Sequence, residues 1–593
     1  MKLFWYSPLA LLSALPWTWA TSPDCKCTPD QACWPTEKEW ARFNKTINGK
    51  LIKTSPVMLP CFIGPHANNA TCQYLLKEGF YDPKFQAENP VGYDYPANEA
   101  CPPPASAFTL PASYCQLGNS PTYAINATSE AIISKGIKFA KEKNLRVVIK
   151  STGHDFLQRS KGFFGLSIWL YHFRDGFYFN NHNPEADHGS SWNGSTLTIR
   201  GGYAWSDLYP YAKEKGVIAV GGNQNGPCST GGWTQGGGHS PVTRNFGMGA
   251  DQVVSARVVL ASGKVVKASL HENPDLFFAI RGGGPGTYGV VTELIVKTYP
   301  TRNVNLFFVE LLGQGDEKAH IFLDAMTTVY SALPELSKSG FGGYGYWSTY
   351  GTGGFRGYKY TNIWVQAFTI LDKSPQEAKR LFQPFQDKLT QHNFSTSGFV
   401  LNVTHSTYPT YAAYFASKVY TGAVVGGISA LSSRLLDTAA LTGKRGDLRQ
   451  AMNVMAGKPG EPIGHTLVHH GLESTPGQQL AGSAVQPGWY RSIMLDIYEI
   501  GVTGFSVAEN AAAFAHIREK VYPVYEKLSP TTGTYMNEAD FGDAQWQKNF
   551  YGIHYDKLSK IKTRYDPDSL FYCTTCVGSE AWAVKENGSL CRS

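Results

Sequence analysis

Long apolar runs are scarce in this chain. After the first twenty residues no stretch of 18 apolar residues occurs, so no membrane-spanning helix is expected there. Charge is also thin. Only 17% of residues are charged, the formal net charge is +7, and no Lys/Arg-rich run exists, which leaves no electrostatic case for nucleic acid. Internal repeats and low-complexity tracts are absent. So are several catalytic signatures. Gly-x-Ser-x-Gly does not occur, which removes support for a hydrolase elbow. No Lys-Ser or Lys-Thr follows the glycine runs, so none is a Walker phosphate loop. None has GxGxxG spacing after the first strand of a βαβ unit, which weakens a nicotinamide reading. In GHTLVHH, His465 and His469 have the i,i+4 spacing of helical metal ligands. No Glu follows His465, glycines flank the run, and no metal is expected.

What is present points to a large folded protein. The 593 residues, 42% of them hydrophobic, suffice for two or three domains. The opening MKLFWYSPLALLSALPWTWA has Lys2, an apolar run to Leu15, and Thr18-Trp19-Ala20 as a cleavage site. It predicts a signal peptide over residues 1–20 and a secreted, extracellular protein. Secretion implies an oxidising compartment. Of the 11 cysteines, seven (Cys25, Cys27, Cys33, Cys61, Cys72, Cys101, Cys115) lie near the N-terminus and three (Cys573, Cys576, Cys591) near the C-terminus. Seven and three are both odd. Full pairing within these groups therefore requires a bridge between the chain ends, with Cys228 left over. Cys573-Thr-Thr-Cys576 reads as structural rather than redox-active. Sequons at Asn44, Asn69, Asn126, Asn193, Asn393, Asn402 and Asn587 suit a glycoprotein.

Texture divides the rest. Residues 21–120 are rich in Cys, Pro and Asn and predict a loop-rich, disulfide-stapled extension. From 121 to 299, an α+β unit is expected. Thr128 or Ser129 can cap a helix running to about Asn144, and Leu145–Lys150 reads as a buried strand entering the turn STGH. QVVSARVVLASGKVVKAS predicts a hairpin about Ser262-Gly263. Residues 300–530 alternate strand-like aromatic segments with helical ones. They predict an antiparallel sheet backed by helices. Residues 531–593 have a texture of their own.

Three glycine-rich turns stand out: STGH, GGWTQGGGH and RGGGPGTYGVV. Glycines let a ligand come close to backbone N–H groups, and successive N–H groups bind pyrophosphate without a lysine. Three such turns in one unit favour a dinucleotide lying across them.

These same segments, VVIKSTGHDFLQRS, GGWTQGGGHSPVTRNFGMGADQVV, NPDLFFAIRGGGPGTYGVVTEL and NFYGIHYDKLSKIKTRYDPDSLF, resemble the vanillyl-alcohol oxidase and berberine bridge enzyme family of flavoproteins, and its secreted fungal isoamyl-alcohol-oxidase-like branch. The resemblance covers roughly residues 121–299 and 531–580. It implies a two-domain α+β architecture: a PCMH-type FAD-binding domain built from both chain ends and a substrate domain between them. It implies FAD bonded through its 8α carbon to His154. The flavin would also contact Ser151, Thr152, Gly153, Asp155 and Ser160, then Gly231, Gly232, Gln235, Gly236, Gly237, Gly238 and His239, and finally Gly289, Val291, Tyr551 and His554. A second bond from a cysteine occurs in some members. Its position aligns with Gln224 or Asn225, three or four residues ahead of Cys228, so a Cys228 bond is not expected.

The resemblance further implies a tyrosine base, Tyr535, in a Tyr-x-Asn motif. A phenol titrates near 10 and needs a helper. RSIMLDIYEIG offers Asp496 and Glu499, which have opposite parity, so only one can face the site. Rough alignment favours Glu499. The implied activity is oxidation of an alcohol-type organic substrate, phenolic, carbohydrate or secondary-metabolite, with O2 as acceptor and H2O2 as product. A dehydrogenase of the same fold, or a flavin-carrying binding protein, stays open.

Overall fold

A computed structural model describes residues 25–93, 98–186, 190–224, 226–351, 354–355, 358–392, 394–417, 428–475, 482–502 and 505–593. The expected leader at 1–20, Asn225 and the sequon residue Asn393 lie outside these.

The N-terminal extension is more helical than its composition suggests. Helices span Glu37–Thr46, Asn69–Lys77 and Pro83–Glu88. The first starts at a capping box. Thr36 Oγ1 accepts from the Glu39 amide, and the Glu39 carboxylate accepts from the Thr36 amide at 2.8 Å. The Thr36-x-x-Glu39 spacing is the sequence signal for this helix start. The extension is also not separate. Its strand Leu51–Lys53 pairs antiparallel with Tyr123–Asn126. That strand lies parallel to Leu166–Trp169, which is parallel in turn to Val147–Lys150. The helix at Glu130–Glu142, capped by Ser129, packs on this sheet through Ile133 and Ile137.

A second sheet of this domain is antiparallel. Its central strand, Val290–Pro300, is flanked by Thr196–Gly201 and Val253–Val259. The hairpin about Ser262-Gly263 forms as expected, between Val253–Val259 and Val265–Ala268.

The disulfides join the chain ends. Cys25 pairs with Cys591 across 566 residues. Cys27–Cys33, Cys61–Cys72 and Cys101–Cys115 staple the extension, and Cys573–Cys576 closes within the tail. Cys228 is the free, buried thiol. The parity argument therefore holds.

Residues 304–502 form a seven-stranded antiparallel sheet among the described residues, in the order 399–408, 304–313, 362–371, 342–348, 463–469, 494–502, 428–436. Helices Ala319–Lys338, Pro375–Thr390 and Arg445–Met455 cover one face. Burying the large apolar side chains there, Phe322 and Phe368 among them, contributes about 1.5–3 kcal/mol each. The other face turns toward the first domain. Tyr344, Val468, Leu495 and Ile497 pack there against Met248, Ala250, Trp489 and Tyr535. GHTLVHH belongs to the strand Ile463–His469 rather than to a helix, which removes the geometric basis for helical metal ligands.

Cutting the Cys25–Cys591 bridge with Cys591→Ser should lower stability by about 2–5 kcal/mol, read as a lower thermal unfolding midpoint. An unchanged midpoint would show that the ends are held by packing alone.

Candidate active site

The strand Val147–Lys150 delivers the chain into Ser151-Thr152-Gly153-His154. Gly153 has φ +86°, and a side chain there would strike the Gly92 carbonyl of the extension. Asp155 fixes the next turn. It takes a 2.6 Å contact from the Arg159 guanidinium and accepts the Arg159 and Ser160 amides. The second glycine turn is tied to the third: the amides of Gly282 and Gly284 both donate to the Gln235 carbonyl at 3.0 Å. The tail supplies Tyr535, Asn537 and Glu538.

These pieces enclose one cavity of about 310 Å³. Its floor is made by Ser151–Phe156, Thr230–Trp233, Gln235 and Pro285–Gly286. Its roof comes from Tyr344, Tyr346, Thr466 and Ile497 of the large sheet and from Tyr535, Asn537 and Glu538.

Asn537 joins the pieces. Its Oδ1 accepts from Arg159 Nη2 at 3.0 Å, and its Nδ2 donates to the Gly232 carbonyl at 3.0 Å and to Tyr535 Oη at 2.7 Å. The guanidinium has only donors, so it fixes which end of the amide faces it. Burial, with the Glu538 carboxylate nearby, pushes the Tyr535 phenol well above its ordinary range. The Asn537 bond opposes this without prevailing. Glu538 in turn meets His239 Nε2 at 3.1 Å, and His239 Nδ1 meets Tyr344 Oη at 2.7 Å.

Residues 121–269 match the family described as FAD binding domain, and residues 534–577 match Berberine and berberine like. FAD-linked oxidoreductase apf9 of Gibberella fujikuroi is 52% identical over 573 residues, covering 96% of this chain and 97% of that protein. The chain belongs to the FAD-linked oxidoreductases. FAD-linked oxidoreductase hmp9 of Hypomyces subiculosus is 36% identical over 96% of this chain and 91% of its own. Among solved structures, the VAO-type flavoprotein MtVAO713 from Myceliophthora thermophila C1 superposes with a TM-score of 0.90 at 36% identity, covering 96% of this chain and all (100%) of that one. A glucooligosaccharide oxidase from Acremonium strictum with 6-S-cysteinyl, 8α-N1-histidyl FAD shares the fold alone. Its TM-score is 0.59 at 15% identity, over 78% of this chain and 92% of that one.

The cavity of this FAD-linked oxidoreductase fits a flavin dinucleotide. It is bounded by main-chain turns, and a Cβ on Gly232 would meet nothing nearer than Pro285 at 3.5 Å. Glycine there is required by no neighbour, so the room it leaves belongs to the cavity.

The expected flavin contacts divide. His154, Ser151, Thr152, Gly153, Asp155, Ser160, Gly231, Gly232, Gln235, His239, Gly289 and Val291 all line the cavity. Gly236, Gly237 and Gly238 do not. A Cβ on Gly236 would collide with the Asn537 amide at 2.4 Å, and one on Gly238 with the Trp233 ring at 2.7 Å. Gly237 and Gly238 have φ of +120° and +74°. Packing and turn geometry are enough to call for glycine at these positions. Tyr551 and His554 also lie elsewhere: Tyr551 donates to the Thr575 carbonyl, and His554 packs edge-on against Phe278.

The two strand acids face opposite ways. Asp496 is buried on the helix side, where it meets His465 Nδ1 at 2.9 Å and accepts from Tyr330 at 3.0 Å. It cannot reach the cavity. Glu499 shares parity with the cavity residue Ile497. Its carboxyl is pushed up by burial and further by Glu538, while Ser429 pulls it down. Glu538 directly follows the Tyr535-x-Asn537 motif, which carries no spacing signal for it. Arg159, Tyr344 and Tyr346 were not among the expected residues either.

Two outcomes follow. Gly232→Val should fold with a stability change under about 1 kcal/mol but purify with at most about a tenth of the wild-type flavin, read from the 450 nm to 280 nm absorbance ratio. Full flavin content would show that the cofactor does not use this space. Asp496→Asn should cost about 1–3 kcal/mol of stability while leaving flavin content and flavin reduction unchanged. A selective loss of reduction would return Asp496 to the site.

Proposed function

We propose that this FAD-linked oxidoreductase is a secreted oxidase of alcohol-type organic molecules, with FAD bonded to His154, O2 as acceptor and H2O2 as product. The observation that carries the reading is the meeting of His154, two glycine turns and Tyr535 around one cavity. FAD bound there would supply a two-electron acceptor for a hydride that O2 can reoxidise.

The chain's own residues divide the remaining work. The turn Ser151–Asp155 presents the His154 ring to the cavity, braced by the Asp155–Arg159 pair. Gly231 and Gly232 let the cofactor approach the backbone. Gly289 and Val291 bound the cavity where the chain enters the central strand. Cys228 also lines the cavity, but burial pushes its thiol up, away from the nucleophilic thiolate. That supports one bond through His154 over a second through Cys228.

On the substrate side, Tyr344, Tyr346 and Ile497 offer an aromatic and apolar wall for the carbon skeleton. Tyr535 holds its proton and can donate a hydrogen bond to a substrate oxygen. Asn537 sets the direction of that hydroxyl. Glu499, near Tyr346 and hydrogen-bonded to Ser429, does not line the cavity. Secretion is supported by the five disulfides among the described residues.

Acid precipitation tests the flavin bond. Wild type should give a yellow pellet, and His154→Ala a colourless pellet with any flavin in the supernatant. A yellow His154→Ala pellet would shift the bond to another residue. Anaerobic mixing with a panel of phenolic, carbohydrate and aliphatic alcohols should bleach the flavin, and air should restore it with stoichiometric peroxide. Bleaching followed by slow reoxidation in air would make the protein a dehydrogenase.

A further inference from the structure

Oxidation of an alcohol carbon removes a hydride from carbon, with both electrons, and a proton from oxygen. The hydride goes to the FAD and the product is a carbonyl. The proton has to be taken by the protein. Which group takes it rests on the functional reading above, and the cavity offers few choices.

Tyr535 is a poor acceptor. Its hydroxyl already accepts from Asn537, and burial beside a carboxylate keeps it protonated. Asp155 is consumed by Arg159 and two backbone amides. Asp496 faces the other side of the sheet, bonded to His465 and Tyr330. Glu499 does not line the cavity. Glu538 does. Its side chain is 20% exposed, and its contact in the cavity is His239, itself 12% exposed.

The partners restrict the His239 ring. A carboxylate has only acceptors, so a bond to His239 Nε2 requires the proton on Nε2. In the neutral ring Nδ1 is then an acceptor, and Tyr344 Oη donates to it at 2.7 Å. Both nitrogens of His239 are occupied. The ring meets both carboxylate oxygens, at 3.2 and 3.1 Å, and leaves each with a further lone pair. The imidazole is thus a clamp, and the carboxylate is the group with capacity to spare.

We propose that Glu538 accepts the substrate's hydroxyl proton, and that His239, held by Tyr344, positions it. The O–H bond breaks as the Glu538 carboxylate becomes a carboxylic acid, while the C–H electron pair leaves with the hydride. The partial exposure of Glu538 then returns the proton to water. Tyr535 keeps its proton and orients the substrate oxygen. The pair joins residues 299 positions apart, one on the glycine turn and one on the tail.

The test is anaerobic flavin reduction in the full holoprotein, with the best alcohol of the panel. Wild-type bleaching is measured first and tests the functional reading. The ratio of variant to wild type tests Glu538. Glu538→Gln should lower the limiting reduction rate by about 10²–10⁴-fold, the span of general-base catalysis, with the saturation constant within about threefold. Glu538→Asp should retain more of the rate than Glu538→Gln. Formate should restore part of the rate to Glu538→Ala, because a small carboxylate replaces the missing one. Acid-stable flavin and the unfolding midpoint should stay at wild-type values in all three. A Glu538→Gln rate within threefold of wild type would overturn the proposal. So would a loss carried by the saturation constant alone, or one that formate does not relieve.

Discussion

The site hangs on the side chain of Asn537. It touches the turn after the first buried strand through Arg159, the glycine turn through the Gly232 carbonyl, and the tail's own Tyr535. An amide is suited to this because it both donates and accepts. Arg159 can only donate, so it takes the carbonyl end and leaves the amino end for the other two. A carboxylate in that place would lose the contact with the Gly232 carbonyl, and an apolar group would lose all three. Gly236 is a consequence, since a side chain there would occupy the space of the Asn537 amide.

Around that joint the architecture makes sense as a clamp. The first domain supplies a floor of backbone turns, and the large sheet supplies a roof of alternating side chains. The tail lies between them. The Cys25–Cys591 bridge holds the tail's far end to the N-terminal extension. The buried His465–Asp496–Tyr330 cluster stiffens the sheet from the helix side, where a missing partner would be costly. The cavity can therefore be lined by groups chosen for chemistry, because the surrounding packing already fixes their positions.

Much of this was legible in the sequence. Periodicity located the helix at Glu130–Glu142 and the hairpin about Ser262-Gly263, because one buried face imposes a spacing. Cysteine parity required the joining of the ends. The alternation of Asp496 and Glu499 showed that one would be excluded, although sequence alone does not say which face of a strand looks inward. The glycines fall into two kinds. Gly232 opens the cavity, whereas Gly236 and Gly238 are small to admit protein side chains, and composition cannot separate those reasons. The His239–Glu538 pair was out of reach. It depends on two turns being brought together by a sheet that neither belongs to, and no spacing rule spans 299 residues.

The most direct test of the account is a crystal structure of the protein purified with its flavin. FAD density is expected in the cavity between the Ser151–Asp155 turn and Tyr535, continuous with the His154 ring, with the Asn537 amide still bridging Arg159 and Gly232. Flavin lodged outside that cavity, or density continuous with Cys228 and not with His154, would contradict it.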